Sequence, residues 1–201
     1  MIVTAAMLID QLREYGDPAG KIMRLRKEGK IIPLTRGLYE TDPKAPGQCL
    51  AGAIYGPSYL SFDYALSVYG LIPEAVYAYT SATFEKKKKK EYVNQFGRYL
   101  YRDVPSAVYP LGIVIRDAGE YSYLIATPEK ALCDKLYSMP PVTSVKDIEQ
   151  MLFEDLRIDE EEFSRLNAED LLLLGERYHC NNLKYLMKYL WKYGVLISSG
   201  R

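Results

Sequence analysis

The basic residues that could bind a polyanion are concentrated near the start of the chain. Between Pro18 and Arg36 there are six basic residues and one acid, Glu28, which gives a local formal charge of +5. These basic residues are Lys21, Arg24, Arg26, Lys27, Lys30 and Arg36. Side chains three residues apart on a helix are neighbours, so Lys21, Arg24 and Lys27 would form one stripe. Such a stripe has the charge and spacing to contact a phosphate backbone.

The segment that carries this stripe has a marked helix start and a marked helix end. Asp17 is placed to cap the N-terminus, Pro18 suits the first helical position, and Gly29 can end the helix. We therefore predict a helix over 18–28 that turns Ile22 inward. On this helix we expect the stripe to reach bases or phosphates, and the other three basic residues to hold the sugar–phosphate backbone.

Two further predicted elements flank the basic helix. A helix over 4–15 precedes it, and the apolar pattern of 30–39 around Arg36-Gly37 predicts two short strands joined by a turn. A helix, a turn, a basic helix and a hairpin are typical of a winged helix-turn-helix, whose basic helix enters the major groove of DNA. Here the pattern has two helices, whereas the full version has three. The alternative is a solvated basic face on a small helical cap.

Residues suited to catalysis are sparse in this sequence. His179 is the only histidine, and it cannot form a dyad with its neighbour Cys180, because adjacent helical side chains point about 100° apart. Asp63, Glu85 and Lys87 match the D…ExK pattern of Mg²⁺-dependent nucleases, but a run of five lysines after a glutamate makes ExK unavoidable. We therefore predict no enzyme, no catalytic residue, no metal and no cofactor, and keep a metal-dependent nuclease as the less favoured alternative.

Composition restricts the compartment and the class of protein. The chain has 201 residues, 26 basic and 26 acidic, and 48% of them are apolar, which is enough for a sizeable core. Three widely spaced cysteines make no disulfide framework, so we expect a reducing cytoplasm. The N-terminus lacks the basic start of a signal peptide, and the longest uncharged run, 45–62, contains two prolines and does not predict a membrane span.

The remainder of the chain predicts a larger α+β domain. The polar stretch Glu40–Gly47 is the best linker candidate, so we divide the chain into a winged-helix-like domain over 1–45 and a second domain over 46–201. The organising stretch of this second domain is Tyr59–Thr83, predicted as a buried helix followed by a strand over 76–80. An antiparallel sheet and a helical C-terminal third are expected around it. Further strands are predicted over 97–104, 112–116 and 121–126, and helices over 127–137, 145–156, 160–166, 168–179 and 183–193.

Five consecutive lysines, Lys86–Lys90, cannot be buried together because they repel one another. We predict an exposed turn between two strands at this position. The alternative is a contact with phosphate or with an acidic partner, which would add affinity without reading a sequence.

Several phrases of the sequence together resemble the AbiEi family, the antitoxins of type IV toxin–antitoxin systems, also described as transcriptional regulators of viral defence systems. The phrases are IIPLTRGLYETD over 31–42, YGPSYLSFDYALSVYGLIPE over 55–74, TSATFEKKKKKEY over 80–92 and YSYLIATPEKALCDKLY over 121–137. The resemblance extends over about residues 10–190. The combination of RGLY and ATPEKAL around the central block is its most specific part.

The resemblance implies a winged-helix domain that represses its own operon by binding inverted repeats in double-stranded DNA. It also implies a C-terminal domain that counteracts a nucleotidyltransferase-type toxin without forming a stable complex with it. On this chain Arg36, Gly37 and Tyr39 would occupy the wing, and the helix over 18–28 would be the recognition helix. The expected function is thus a cytoplasmic autorepressor and antitoxin. A protein-interaction module without specific DNA binding stays open as the alternative.

Overall fold

The computed structural model describes residues 1–193 and confirms the α+β class, with two β-sheets and nine α-helices in that part of the chain. Residues 194–201, which the sequence assigns to the larger domain, lie outside the described residues. No helix among residues 1–193 is both long and apolar enough to cross a membrane.

The N-terminal part forms a small sheet with two helices. Its elements are β1 (Ile2–Thr4), α1 (Ala5–Gln11), α2 (Pro18–Lys27), β2 (Ile32–Thr35) and β3 (Leu38–Glu40). The strand order is β1-β3-β2, and both pairs are antiparallel. The predicted basic helix and hairpin are confirmed. The helix predicted over 4–15 is wrong in extent, because residues 2–4 pair with β3 and Thr4 caps a helix that ends at Gln11.

The second sheet has six strands. Its elements are α3 (Gly47–Ile54), β4 (Tyr59–Leu60), α4 (Phe62–Val68), β5 (Ala78–Thr83), β6 (Lys90–Asn94), β7 (Gly97–Asp103), β8 (Ile113–Ala118) and β9 (Tyr121–Ala126). The strand order is β6-β7-β5-β4-β9-β8. The expected antiparallel sheet is wrong, because β5 pairs with β7 and β4 with β9 in parallel.

The lysine run explains part of this topology. It was predicted as a turn between two adjacent strands, but it carries the chain from β5 past the position of β7 to the sheet edge, where β6 begins. β6 then forms an antiparallel hairpin with β7, so β7 returns beside β5 in the same direction. The strand predicted over 76–80 is also displaced. Ala78–Thr83 forms the strand, and the Tyr77 side chain is 90% exposed.

The C-terminal third is helical, as predicted. Its elements are α5 (Pro128–Tyr137), α6 (Val145–Gln150), a π-helical turn (Met151–Asp155), α7 (Glu160–Ser164), α8 (Ala168–Tyr178) and α9 (Asn181–Lys192). The hydroxyl groups of Thr127 and Ser144 accept the capping hydrogen bonds of α5 and α6, as their positions predict. The side chain of Trp191 in α9 is 67% exposed, whereas that of Tyr189 is buried.

Candidate nucleic-acid interface

Helix α2 is positioned by its own N-terminus and by one buried side chain. Asp17 Oδ1 accepts a hydrogen bond from the backbone N–H of Gly20 at 2.9 Å, which satisfies one of the free donors of the first turn. A Cβ at Gly20 would lie 2.0 Å from Asp17 Oδ2, so a larger residue there would require the Asp17 carboxylate to shift. Ile22 packs with Val3, Leu8 and Ile31 in a small core under the helix. The opposite side of α2 is therefore left to solvent.

The predicted DNA-contacting residues of α2 lie mostly on this solvent side. Arg24, Arg26 and Lys27 are exposed, and Lys21 is half-buried. The Lys21 ammonium group lies 5.5 Å from the centre of the Tyr15 ring, a cation–π distance. Among residues 1–193, Arg24, Arg26 and Lys27 form no ion pair. These three charges are thus available to an external anion.

Lys30, just beyond the helix, is engaged locally. Its Nζ lies 2.8 Å from Glu28 Oε2, and both side chains are exposed. The hydrogen bond with Glu28 and its negative charge raise the pKa of Lys30, and the same pair lowers the pKa of Glu28. Glu28 is the only acid between residues 18 and 36, so Lys30 neutralises the one negative charge of the basic segment.

Arg36 is placed at the turn between β2 and β3 and is exposed. Gly37 has φ of +75°, a backbone conformation that glycine adopts without strain. The Gly37 carbonyl accepts a hydrogen bond from the Ala5 N–H at 2.8 Å, which ties the turn to the first residue of α1. The hairpin that carries Arg36 is therefore fixed to the same small unit as α2.

Met23 is a surface residue of α2 that the charge pattern does not reveal. Its side chain is 62% exposed, and the helical positions three and four residues further on are Arg26 and Lys27. An apolar side chain on a helix in the major groove can contact a thymine methyl group. The only signal in the sequence is an apolar residue outside the inward positions, Ile22 and Leu25.

The small unit is joined to the second sheet by polar contacts at two points. Asn94 Nδ2 donates a hydrogen bond to the Leu34 carbonyl at 3.1 Å. The Tyr121 hydroxyl donates to Glu40 Oε1 at 3.1 Å, and burial together with the Glu40 carboxylate raises the pKa of Tyr121 to about 12. Leu34 itself packs in the large core, with α3 and the second sheet.

Glu40, the first residue of the polar stretch that is the best linker candidate, is the last residue of β3 and is buried. Burial alone would raise the pKa of its carboxyl group, but hydrogen bonds from the Met1 amino group and from the backbone N–H groups of Asp42 and Thr41 lower that pKa on balance. The sequence does not indicate this burial, because a charged residue between polar neighbours gives no sign of a buried partner.

The nuclease-like pattern is not assembled as a metal site in the described part of the chain. Asp63 Oδ1 lies 2.5 Å from Lys135 Nζ, so its charge is paired within the fold. Within residues 1–193 no group of three or more His, Cys, Asp or Glu side chains could hold a metal ion.

No protein-family model matches this chain, and a comparison with curated proteins finds no matching relative. The likeness to the AbiEi family rests on the sequence phrases given above.

Proposed function

We propose that this protein is a DNA-binding transcriptional autorepressor and antitoxin of the AbiEi type, which counteracts a nucleotidyltransferase-type toxin. The observation that carries the proposal is α2, a capped basic helix with three cations that form no ion pair within residues 1–193, held in one small unit with the β2–β3 hairpin and Arg36. Basic residues on a helix and on an adjacent hairpin are the usual means of contacting a groove and the flanking backbone.

The order of elements in this unit supports a winged-helix assignment. One strand, two helices and a hairpin follow in sequence, and β1 pairs with the second strand of the hairpin. In this assignment α2 is the recognition helix and the turn at Arg36 is the wing. Arg24 and Lys27 reach bases or phosphates, while Arg26 and Arg36 hold the backbone. Lys21 and Lys30 contribute less, since Tyr15 and Glu28 already engage them.

The antitoxin part of the proposal is supported by the sequence resemblance of the second domain. In this reading the protein acts in the cytoplasm, binds inverted repeats upstream of its own gene, and opposes a toxin encoded beside it without a lasting complex. Co-expression with the neighbouring gene tests this part: the full chain should restore growth, and a chain that fails to do so contradicts the antitoxin role.

DNA binding is tested with purified protein, the duplex upstream of its gene and a scrambled duplex, at several salt concentrations. The upstream duplex should bind more tightly by a factor of at least about 10³. Arg24→Ala/Lys27→Ala should weaken that binding and reduce the salt slope by about 2. The control is Lys184→Ala/Lys188→Ala, which removes the same charge from the exposed side of α9. It should change neither the affinity for the upstream duplex nor the salt slope. Equal binding of both duplexes would contradict a sequence-specific regulator.

A further inference from the structure

The lysine run contributes to a second basic site, far along the chain from α2. A cavity of about 270 Å³ lies between the loop before β6, the end of β7 and the end of α5. It is lined by Lys87–Lys89, Arg102, Asp103, Tyr137 and Ser138. Its volume is close to the lower limit of small-ligand sites, about 300 Å³.

The loop that carries the three lysines has a defined shape. Asp103 Oδ2 accepts a hydrogen bond from the Lys87 N–H at 2.6 Å, and Asp103 Oδ1 accepts one from the Thr83 hydroxyl at 2.6 Å. Lys87 has φ of +55° and Glu85 has φ of +56°. Residues other than glycine adopt such conformations at an energetic cost, so contacts within the fold must hold this loop in its shape. Asp103 thus holds the loop against the end of β7.

The cavity has an excess of positive charge. Within residues 1–193, Lys87, Lys88, Lys89 and Arg102 form no ion pair. The single carboxylate at the cavity uses both oxygens to organise the loop. Arg102 is half-buried, with its guanidinium group 6.0 Å from the centre of the Phe62 ring, so its position is restricted. Cations that line one cavity repel one another, and a multiply charged anion bound among them offsets that repulsion.

We propose that this cavity binds the terminal phosphate groups of a small phosphorylated molecule. A guanidinium group offers paired donors to phosphate oxygens, and the lysines add mobile point charges. Tyr137 also lines the cavity, and its hydroxyl makes no hydrogen bond among the described residues, so it is a further donor for a phosphate oxygen. A cavity of about 270 Å³ has room for terminal phosphate groups, whereas a continuous nucleic-acid backbone is bound along an extended positively charged groove. The proposal is independent of DNA binding by α2.

Isothermal titration of the full chain with inorganic pyrophosphate tests the site, with inorganic phosphate and a DNA duplex as the other probes. Pyrophosphate should bind more tightly than phosphate. Lys88→Gln and Arg102→Gln should each weaken pyrophosphate binding about tenfold or more, the value expected for one charge-assisted hydrogen bond. Lys86→Gln is the matched control: it removes the same charge from the same run, but the Lys86 ammonium lies 5.3 Å from the Tyr55 ring and outside the cavity. The affinity of Lys86→Gln for pyrophosphate should stay within about twofold of that of the unchanged protein.

Three outcomes would overturn the proposal. The first is no saturable pyrophosphate binding, and the second is an equal loss in Lys86→Gln and Lys88→Gln, since binding would then be diffuse attraction. The third is that Lys88→Gln and Arg102→Gln abolish duplex binding as strongly as Arg24→Ala/Lys27→Ala, which would assign the cavity to nucleic acid. Arg24→Ala/Lys27→Ala should leave pyrophosphate affinity unchanged, so failure of the DNA-binding proposal and failure of this one are separate results.

Discussion

Asp134 is a buried side chain of the second domain that accepts four hydrogen bonds. Its Oδ1 accepts hydrogen bonds from Lys130 Nζ at 3.0 Å and from the Tyr178 hydroxyl, and its Oδ2 accepts from Tyr59 at 3.0 Å and Ser61 at 2.6 Å. Asp134 and Lys130 have no exposed surface. Burial and the neighbouring Asp134 carboxylate raise the pKa of Tyr59 and of Tyr178, so both hydroxyls stay protonated donors. One carboxylate thereby joins β4, α5 and α8.

Replacing Asp134 by Ala should destabilise the protein by about 3–5 kcal/mol, because it leaves the Lys130 ammonium buried without a counter-charge. Lys130→Met should also destabilise it, by leaving the carboxylate unpaired. The double variant should lose less than the sum of the two single variants, by about 1–3 kcal/mol. Urea unfolding of the four proteins measures these differences. Additive losses would show that the two charges are not coupled.

The Asp134 cluster could not be predicted from the sequence. An Asp four residues after a Lys is a common solvent-exposed helix pair, and nothing local distinguishes a buried one. Ser61 occupies the N-cap position of α4, but its hydroxyl donates to Asp134 instead of capping the helix. Ser61 and Asp134 are 73 residues apart in the chain, and Tyr59 and Asp134 are 75 apart, so only the tertiary structure brings these side chains together.

Glu40 predicts a defined pH dependence. Its pKa in the folded protein is lowered below the ordinary value of 4.5, so the stability it contributes is present above that value and is lost as the pH falls through the folded pKa. Glu40→Gln should destabilise the protein by about 1–3 kcal/mol at neutral pH. The difference between the two proteins should shrink as the pH falls below 4.5. Chemical unfolding at several pH values measures it, and a difference that grows on acidification would contradict the assigned direction.

At the scale of elements, helix ends could be predicted and strand partners could not. Asp17, Thr127 and Ser144 accept the capping hydrogen bonds expected of them, because a cap is decided by residues three apart. The register of β5 and its parallel pairing with β7 depend on strands that the chain reaches later. An alternating apolar pattern repeats every two residues, so by itself it does not specify which strand pairs with β5 or in which register. The basic stripe of α2 could be predicted for the same reason, because its residues also lie three apart in the sequence.

The side chain of Asn182, at the start of α9, connects this helix to the end of α5 and the segment that follows it. Its Nδ2 donates to the carbonyls of Leu136, Pro140 and Met139, and its Oδ1 accepts from the Val142 N–H at 2.7 Å. Its side chain is buried, so Asn182→Ala would leave these groups without partners.

We therefore expect Asn182→Ala to lower the free energy of unfolding by about 2–4 kcal/mol, more than one orphaned group would cost. Asn181→Ala, the exposed neighbour of the same type, is the control and should cost less than about 1 kcal/mol. Thermal or urea unfolding of both variants measures these losses in the free energy of unfolding. Equal effects would mean that the end of α5 is held by packing alone.

At the scale of the whole molecule, the N-terminal unit and the second sheet share a core. Leu34 of β2 is buried in the large core, and Ile2 and Leu38 pack against it. The chain was predicted as two domains because a polar, proline-containing stretch separates two patterns. Sequence composition marks such a linker, but it does not show whether the units on either side pack together. The Leu34 contacts and the Glu40–Tyr121 hydrogen bond indicate that they do.

This shared core predicts one cooperative unfolding transition for both parts of the chain. Trp191 fluorescence reports α9, and amide exchange of β2 and β3 reports the N-terminal unit; the two should give the same free energy of unfolding. Tyr121→Phe removes the hydroxyl that bonds Glu40 and should lower that free energy by about 1 kcal/mol for both probes. Tyr77→Phe alters a hydroxyl on a side chain that is 90% exposed and should change neither. If the amide groups of β2 and β3 exchange through a separate, lower-energy opening, the N-terminal unit with α2 moves independently of the second domain, which would contradict a single shared core.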